Sequence, residues 1–220
     1  MSLFQYAISS DQSMAEEKTL MKMAEAFEEL ANIIRQSKDD GEEAKVELAL
    51  FSRACSLVSP LFRCLGIAFK FAELDYVAKV NDLTEASKSI LTLPVMMDGD
   101  IEANCVRRAG SHTKNLLRVK RGIDMVKVLF EHITCTEGNS LKDPASKAYA
   151  QVLAPYHGWA IRKAVGAGMY ALPTKAQLLN KLNEDETSAR MHMQSYIASA
   201  APVIAYIDKL FISRELGIDW

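Results

Sequence analysis

The chain has 220 residues, of which 49% are hydrophobic and 25% are charged, and its formal net charge is -2. These values are ordinary for a folded globular protein, and the length suits one domain with a sizeable core. A near-neutral chain lacks the global basic field that nucleic-acid binding uses. Any anion site must therefore be a local cluster of cations.

The cysteine pattern and the start of the chain both bear on location. No C-x-x-C pair or metal-like spacing occurs, which predicts reduced thiols in a cytosolic protein. The N-terminal segment lacks the basic start and apolar region of a secretory signal. Because no run of about 18 uninterrupted apolar residues occurs, we expect a cytoplasmic protein whose membrane contact is peripheral and transient. The cysteines are Cys55, Cys64, Cys105 and Cys135.

Apolar residues at helical spacing run through most of the chain, and no segment has the alternation typical of a strand. We expect a flexible tail over residues 1–12 and a single domain over residues 13–220. Ser13 and Glu16 have the spacing of a capping box and predict a first helix that ends near Gln36. The apolar face of this helix consists of Leu20, Met23, Phe27, Leu30 and Ile34.

A long second helix is predicted from about Glu42 to Asp82, with a bend at Pro60. Its apolar stripe also contains Asp75 and Lys79, which are neighbours at the i and i+4 spacing. A buried charge is costly unless it is paired or bound to a ligand. The pair is therefore either a structural ion pair or part of a binding site. The apolar members of the stripe are Cys64, Ile67, Phe71 and Ala78.

After short helical pieces, a strong helix is predicted from Gly110 to about Thr136. Lys114 and Arg118 stand one turn apart on it, and Arg121 follows three residues later. Such a run is either a solvated basic face or a clamp in which two cations hold an anionic headgroup. The predicted core face of this helix consists of Leu116, Val119, Ile123, Val126, Phe130 and Ile133.

Turns that contain proline divide the rest of the chain into further helices. Seven or eight helices around one core are expected, either as a solid bundle or as two layers that open to admit a ligand. The later helices are predicted to begin at Asp143-Pro144 with Asp143 as the cap, at about Tyr156, after Leu172-Pro173-Thr174, and at about Glu184 for a last helix that ends near Arg214.

His157 stands at the head of another apolar stripe. A histidine in that place is either a satisfied core residue or a ligand-binding residue. Trp159 and Tyr170 on the same segment are either core aromatics or anchors at a membrane interface, and periodicity does not decide between these. The stripe consists of Ile161, Val165 and Met169.

Three segments together resemble a known family. They are FKFAELDYVAKVNDL, AGSHTKNLLRVKRGIDMVKVLFE and DPASKAYAQVLAPYHGWAIRKAVGAGMYALPTK. The set resembles the glycolipid transfer protein superfamily, and within it the plant accelerated-cell-death type, which is selective for ceramide-1-phosphate. The similarity runs from about Ala44 to the terminal LGIDW.

The resemblance implies an all-α, two-layer sandwich of about eight helices with one lipid between the layers. It implies that Asp75 accepts hydrogen bonds from the ceramide amide N–H and hydroxyl. Lys79, Lys114 and Arg118 would face the phosphate, and His157 would donate to the amide carbonyl. It implies no catalytic residue, no metal and no cofactor.

Lys114 is the position that separates the branches of this family. The sugar-binding branch places a tryptophan there as a platform for a sugar ring, whereas a cation suits phosphate. Relatives selective for phosphate usually carry arginine, so this sequence departs from the pattern. Lysine keeps the charge but lacks the bidentate fork, which predicts weaker or less rigid phosphate holding.

The leading hypothesis is intermembrane transfer of ceramide-1-phosphate, with effects on sphingolipid balance and cell-death control. A lipid sensor that signals through a protein partner is the alternative. Glycolipid transfer and a lipid-metabolising enzyme are further alternatives. No G-x-S-x-G, H-E-x-x-H or phosphate-binding glycine loop is present, so we expect a protein that is not an enzyme.

Overall fold

The computed structural model describes residues 18–39, 43–66 and 69–220. Within these ranges the regular structure is entirely helical, apart from two isolated bridges that join Glu47 to Thr92 and Ser140 to Thr174. The helices are α1 (Thr19–Asp39), α2 (Leu48–Ser56), α3 (Ser59–Cys64), α4 (Lys70–Ala86), α5 (Leu93–Glu102), α6 (His112–Thr134), α7 (Lys142–Val152), α8 (Trp159–Gly168), α9 (Lys175–Lys181) and α10 (Glu186–Ser213).

Helix α6 lies at the centre of the packing, because it contacts α4, α5, α7 and α10. Helix α10 also packs along α1. The rings of Phe27, Tyr196 and Phe130 meet edge to face where these elements join, with centroids 4.9 and 5.5 Å apart. Edge-to-face pairs add to the stabilisation that apolar burial provides. This aromatic cluster therefore ties α1, α6 and α10 together.

The core faces predicted for the first and the strong central helix are confirmed. All six predicted residues of α6 are buried, and so are four of the five predicted for α1. The exception is Ile34, which is partly buried and packs against the core. The first predicted turn of α1, with Ser13 and Glu16, and the predicted tail over residues 1–12 lie outside the described residues.

The long second helix was predicted wrongly, because three separate helices stand in its place. Helix α2 ends at Ser56, and Pro60 lies in the first turn of the six-residue α3. Gly66 follows with a φ of 98°, a left-handed conformation that glycine adopts without a Cβ clash. The chain therefore leaves the helical path before α4 begins at Lys70.

The apolar stripe predicted along that helix is also wrong. Phe71 is 85% exposed, and Ala78 and Asp75 are exposed as well. The break before α4 changes its rotational phase, so the core face of α4 is made by Tyr76, Val80 and Leu83, among others. Ile67 lies outside the described residues.

Two later helix starts differ from the prediction by one to three residues. Asp143 is not the cap of α7, since the helix begins at Lys142 and Leu141 precedes it. Tyr156 ends a 3-10 turn, and His157 and Gly158 are extended before α8 begins at Trp159. The later start of α8 has a consequence for His157, because this residue lies in the extended junction before the helix and not within it.

Helix α10 is the one described helix that is long and apolar enough to cross a membrane by length and composition. Half of its most apolar stretch is buried inside the protein, where it packs against α1 and α6. A core helix of a folded domain has the same length and composition, and this packing is typical of one.

Candidate functional site

The candidate site begins where α4 and α6 pack side by side. Gly122 of α6 has no side chain, and the ring of Tyr76 from α4 lies against its backbone. The Tyr76 hydroxyl donates to the carbonyl oxygen of Cys55 at 3.0 Å, which fixes the ring between α2 and α6. Asp75, the neighbour of Tyr76 in the chain, is exposed on the surface of α4.

Asp75 and Lys79 form the ion pair that their spacing predicts, with the Lys79 ammonium on the Asp75 carboxylate. The ammonium also donates to the Asp75 carbonyl oxygen at 3.1 Å. The Lys79 side chain is only 10% exposed, whereas the Asp75 side chain is 66% exposed. A buried cation is thus held against a carboxylate that can still accept hydrogen bonds from a ligand.

The N-terminus of α6 is organised by one carboxylate. Asp100 accepts from the Ser111 hydroxyl and from the Thr113 backbone N–H, both at 2.8 Å. The Ser111 hydroxyl in turn caps the helix by accepting from the Lys114 N–H at 3.1 Å. The Lys114 ammonium donates to the Arg107 carbonyl oxygen at 3.2 Å, so it lies over the loop that precedes the helix.

Arg118 and Arg121 have different environments although they are three residues apart. Arg121 is buried, donates to the carbonyl oxygens of Ile218 and Trp220 at 2.8 and 2.6 Å, and lies 3.4 Å from the centre of the Tyr156 ring. Arg118 is exposed, and among the described residues it has no hydrogen-bond or ion-pair partner. Arg118 is therefore the guanidinium that remains available to a ligand.

His157 is half-buried, and its Nδ1 lies 2.9 Å from the Tyr149 hydroxyl. Burial lowers the pKa of His157, the charge of Asp75 opposes this, and the charges of Arg121 and Arg118 add to the lowering. Because the ordinary pKa is 6.5, the imidazole is neutral at pH 7. The same interactions show that His157 lies within electrostatic reach of both α4 and α6.

The predicted site residues are thus brought together to different degrees. Asp75 and Lys79 are in contact, and His157 responds to Asp75 and Arg118. Lys114 lies one turn before Arg118 on α6, but its ammonium is engaged with the preceding loop. The assembly presents an exposed carboxylate, cations and a neutral imidazole, which suits a ligand that has both an anionic group and an amide.

Sequence reasoning missed three partners of this site. Tyr149 lies eight residues before His157, a separation that matches no helical neighbour spacing. The C-terminal backbone that engages Arg121 lies 97 and 99 residues away in the chain. Asp100 belongs to α5, and only its contact with Ser111 reveals its role. No periodic pattern carries a signal for such contacts.

Helix α8 is a surface element, since no residue along its described length is buried. Trp159 is 70% exposed and Tyr170 is 76% exposed, so neither is a core aromatic. These two side chains line a surface cleft of about 520 Å³ together with Arg162 and Lys163. Apolar rings beside cations are typical of a surface that meets a membrane interface.

The described residues contain no group of three His, Cys, Asp or Glu side chains that could hold a metal ion. The four cysteines are free thiols. Burial raises the pKa of the Cys55 thiol far above its ordinary value, so this thiol is not a reactive nucleophile.

Comparison with known proteins identifies the family. The family model described as glycolipid transfer protein matches residues 46–184. This chain belongs to the glycolipid transfer protein family. The family predicted from the three sequence segments is therefore confirmed.

Relatives in the glycolipid transfer protein family include accelerated cell death 11 of Arabidopsis thaliana, which is 67% identical over 205 residues, 93% of this chain and 97% of the relative. The ceramide-1-phosphate transfer protein of Danio rerio is 27% identical over 199 residues, 84% of this chain and 92% of the relative. These proteins span nearly the same length as the present chain.

Solved structures confirm the glycolipid transfer protein fold. A mutant of Arabidopsis accelerated cell death 11, crystallised with C12 ceramide-1-phosphate, gives a TM-score of 0.89 at 66% identity and covers 93% of this chain and 100% of its own. Human ceramide-1-phosphate transfer protein gives 0.72 at 20% identity and covers 90% and 95%. The all-α fold class expected from the sequence is thus confirmed.

Proposed function

We propose that this protein carries ceramide-1-phosphate, or a closely related phosphosphingolipid, between membranes without a covalent step. The observation that supports this most directly is Arg118, an exposed guanidinium without a protein partner among the described residues, whose charge, like that of Asp75, acts on a neutral His157. The relative crystallised with ceramide-1-phosphate is 66% identical to this chain.

The headgroup is recognised by charge in this proposal. A phosphate monoester carries about -1.5 to -2 charge at neutral pH, and Lys79, Lys114 and Arg118 together neutralise it. A sphingolipid without the phosphate leaves Arg118 without an anionic partner, which disfavours it as cargo. Lys114 turns from the Arg107 carbonyl toward the phosphate when the lipid binds, a side-chain motion that its flexible stem allows.

The amide of the lipid is recognised by hydrogen bonds. Asp75 accepts from the amide N–H, and His157 donates to the amide carbonyl. Each charge-assisted hydrogen bond contributes roughly 1.5–3 kcal/mol, whereas a neutral one contributes about 1 kcal/mol. Glycerolipids lack the amide and so lose these contacts.

The acyl chains make transport through water possible without setting its direction. Each buried methylene contributes about 0.8 kcal/mol relative to water, and the bilayer offers nearly the same gain. The pocket beside Leu179 and Met193 has a volume of only about 10 Å³, which is too small for an acyl chain. The exposed side chains of Phe71 and Leu74 at the start of α4 are apolar surface close to the headgroup site.

We propose a cytoplasmic protein that meets membranes peripherally and briefly. Trp159 at the start of α8 and Tyr170 in the 3-10 turn that follows it would enter the interface, with Arg162 and Lys163 near anionic headgroups. We further propose that residues 13–220 form one lipid-transfer domain. A role in sphingolipid balance and cell-death control is proposed by similarity to accelerated cell death 11.

Transfer of labelled ceramide-1-phosphate between vesicles tests this function. Arg118→Glu replaces the available cation with an anion and is expected to lower the transfer rate at least about tenfold, since it removes a charge-assisted contact and adds repulsion. Arg35→Glu, on an exposed ion pair with Glu28, is the matched charge-reversal control and is expected to transfer normally. Undiminished transfer by Arg118→Glu contradicts the proposed cation clamp.

The same vesicles separate the alternatives. Transfer of galactosylceramide at a comparable rate would favour glycolipid transfer instead. Slow transfer together with lipid-dependent binding of a protein partner would favour a sensor. Mass spectrometry of the bound lipid after long incubation would detect a product if the protein were an enzyme.

A further inference from the structure

Tyr149 is the hydrogen-bonding neighbour of His157 and belongs to a different element. It lies on α7, while His157 lies in the extended junction before α8, with φ -107° and ψ 133°. The phenol oxygen is 2.9 Å from Nδ1, and the two rings are tilted with their centroids 5.6 Å apart. Because the junction has no helical hydrogen-bond ladder, this contact with α7 restrains the imidazole.

A neutral phenol can either donate its O–H to Nδ1 or accept from an Nδ1–H, and it is a better donor than acceptor because its oxygen lone pair is delocalised into the ring. Donation to Nδ1 is therefore the favoured direction of this hydrogen bond. Burial raises the pKa of Tyr149 above its ordinary value of 10.0, so the phenol is protonated at neutral pH and has an O–H to donate. The imidazole of His157 is neutral, so one ring nitrogen carries a proton and the other accepts. When Nδ1 accepts from the phenol, the ring proton is on Nε2.

We propose that Tyr149 is a positioning residue that holds His157 as the Nε2–H tautomer and thereby presents a hydrogen-bond donor to the amide carbonyl of the bound sphingolipid. This inference rests on the proposed function, because the amide carbonyl belongs to the proposed cargo. In this proposal Tyr149 acts through His157 and does not contact the lipid.

The tautomer decides whether the site matches an amide. An amide has an N–H that donates and a carbonyl that accepts, so its complement is one acceptor and one donor. Asp75 supplies the acceptor. In the Nδ1–H tautomer His157 would direct a lone pair at the lipid carbonyl, and the contact would be repulsive. In metal sites, a hydrogen bond to the ring nitrogen that does not bind the metal fixes the tautomer of a histidine ligand in the same way.

The charges around His157 do not determine which of its ring nitrogens carries the proton. Asp75 favours the protonated imidazolium, whereas Arg118 and Arg121 disfavour it. These charges favour or disfavour protonation of the ring, whereas the hydrogen bond at Nδ1 is made with Tyr149. As the better donor of the two groups, the phenol favours the Nε2–H tautomer of the neutral ring.

The variant Tyr149→Phe keeps the ring on α7 and removes only the hydroxyl. We expect the nitrogen chemical shifts of the lipid-free protein to show that the Nε2–H tautomer of His157 predominates in the wild type and is mixed in the variant. The pKa of His157 should rise, because the phenol hydrogen bond favours the neutral ring. The rate of ceramide-1-phosphate transfer should fall about fivefold to tenfold, because that factor corresponds to the free energy of one ordinary hydrogen bond.

Tyr206→Phe is the matched control, since its buried hydroxyl donates to the Ala44 carbonyl oxygen in another part of the fold. It should change stability without changing the tautomer of His157 or the transfer rate. If Tyr149→Phe keeps the wild-type tautomer, or keeps the wild-type transfer rate, the inference is wrong. If instead the wild type transfers no ceramide-1-phosphate, the proposed function fails, and the lipid-free spectra still report whether Tyr149 sets the tautomer.

Discussion

The backbone of Gly122 in α6 lies so close to the ring of Tyr76 in α4 that a Cβ atom at Gly122 would be 2.6 Å from Cε2 of the ring. The ring has little freedom to move, because it is buried and its hydroxyl is bonded to the Cys55 carbonyl. The distance between α4 and α6 at this point therefore depends on the absence of a side chain at one position.

We expect Gly122→Ala to lower the free energy of unfolding by about 1–3 kcal/mol, because the added methyl group overpacks the interface. Chemical denaturation measures this directly. Gly99→Ala is the control, since no atom lies within 4 Å of a Cβ placed there. That substitution in α5 should stabilise the protein by about 0.5–1 kcal/mol through its better helix propensity. Equal effects of the two changes would contradict the close approach.

Lys114→Arg is expected to tighten ceramide-1-phosphate binding about threefold to tenfold. A guanidinium offers two parallel N–H groups to the phosphate, whereas the ammonium acts as a point charge. Lys114→Gln removes the charge and should weaken binding by a similar factor or more. Titration of lipid-loaded vesicles at fixed salt gives both affinities. Equal binding by the wild type and Lys114→Gln would show that this position does not contact the phosphate.

His157 should make stability depend on pH. Burial lowers the pKa of His157 in the folded state below 6.5, with Arg121 and Arg118 adding to the effect and Asp75 opposing it. The unfolded state then binds more protons at mildly acidic pH, so the stability from this group is complete above about pH 6.5 and is lost as the pH falls through the lowered folded pKa.

The comparison is between wild type and His157→Gln, with the free energy of unfolding measured at pH 7 and at pH 5. The wild type should lose more stability across this interval than the variant, because glutamine does not titrate. If both proteins lose the same amount, the lowered pKa of His157 makes no contribution to folding.

Arg121 fastens the C-terminal segment, since it donates to the carbonyl oxygens of Ile218 and Trp220. Arg121→Met keeps much of the apolar stem and removes these bonds, so we expect a loss of about 1–3 kcal/mol in the free energy of unfolding. Hydrogen exchange should become faster over residues 216–220. Arg53→Ala, which breaks an exposed ion pair with Glu29, should cost less than about 1 kcal/mol and leave that exchange unchanged.

A tail that exchanges no faster in Arg121→Met would mean that other contacts hold it. Arg107 makes such contacts, since it donates to the Leu216 carbonyl oxygen at 3.2 Å and its guanidinium lies 5.0 Å from the centroid of the Trp220 ring. Adding Arg107→Ala to the Arg121→Met variant would then show how much the Arg107 contacts slow hydrogen exchange over residues 216–220.

The central helix α6 shows how much of the fold was predictable. The six core residues predicted for it at spacings of three and four are all buried, and Ser111 caps its start. Both features are local, because a helix repeats every 3.6 residues and its first N–H groups need acceptors close by. The same reasoning failed from Glu42 to Asp82, where a proline and a left-handed Gly66 divide one predicted helix into three.

The ion pair in the candidate site was predictable from the sequence, but the partners of the other candidate residues were not. The i and i+4 spacing of Asp75 and Lys79 gives an ion pair in any helix, and it is present. Arg118 and Arg121 look equivalent in the sequence, yet one is exposed and the other is buried on the C-terminal backbone. That difference arises from a segment almost one hundred residues away.

The sequence by itself determined that the chain is helical, that the predicted faces of α1 and α6 are buried in the core, and that Asp75 and Lys79 form an ion pair. Those properties depend on neighbours within one or two turns. The tertiary structure decided the rotational phase of α4, the exposure of α8, the engagement of Arg121 and the meeting of Tyr149 with His157. Such contacts join residues that only the packing of whole helices brings together, and local periodicity carries no record of them.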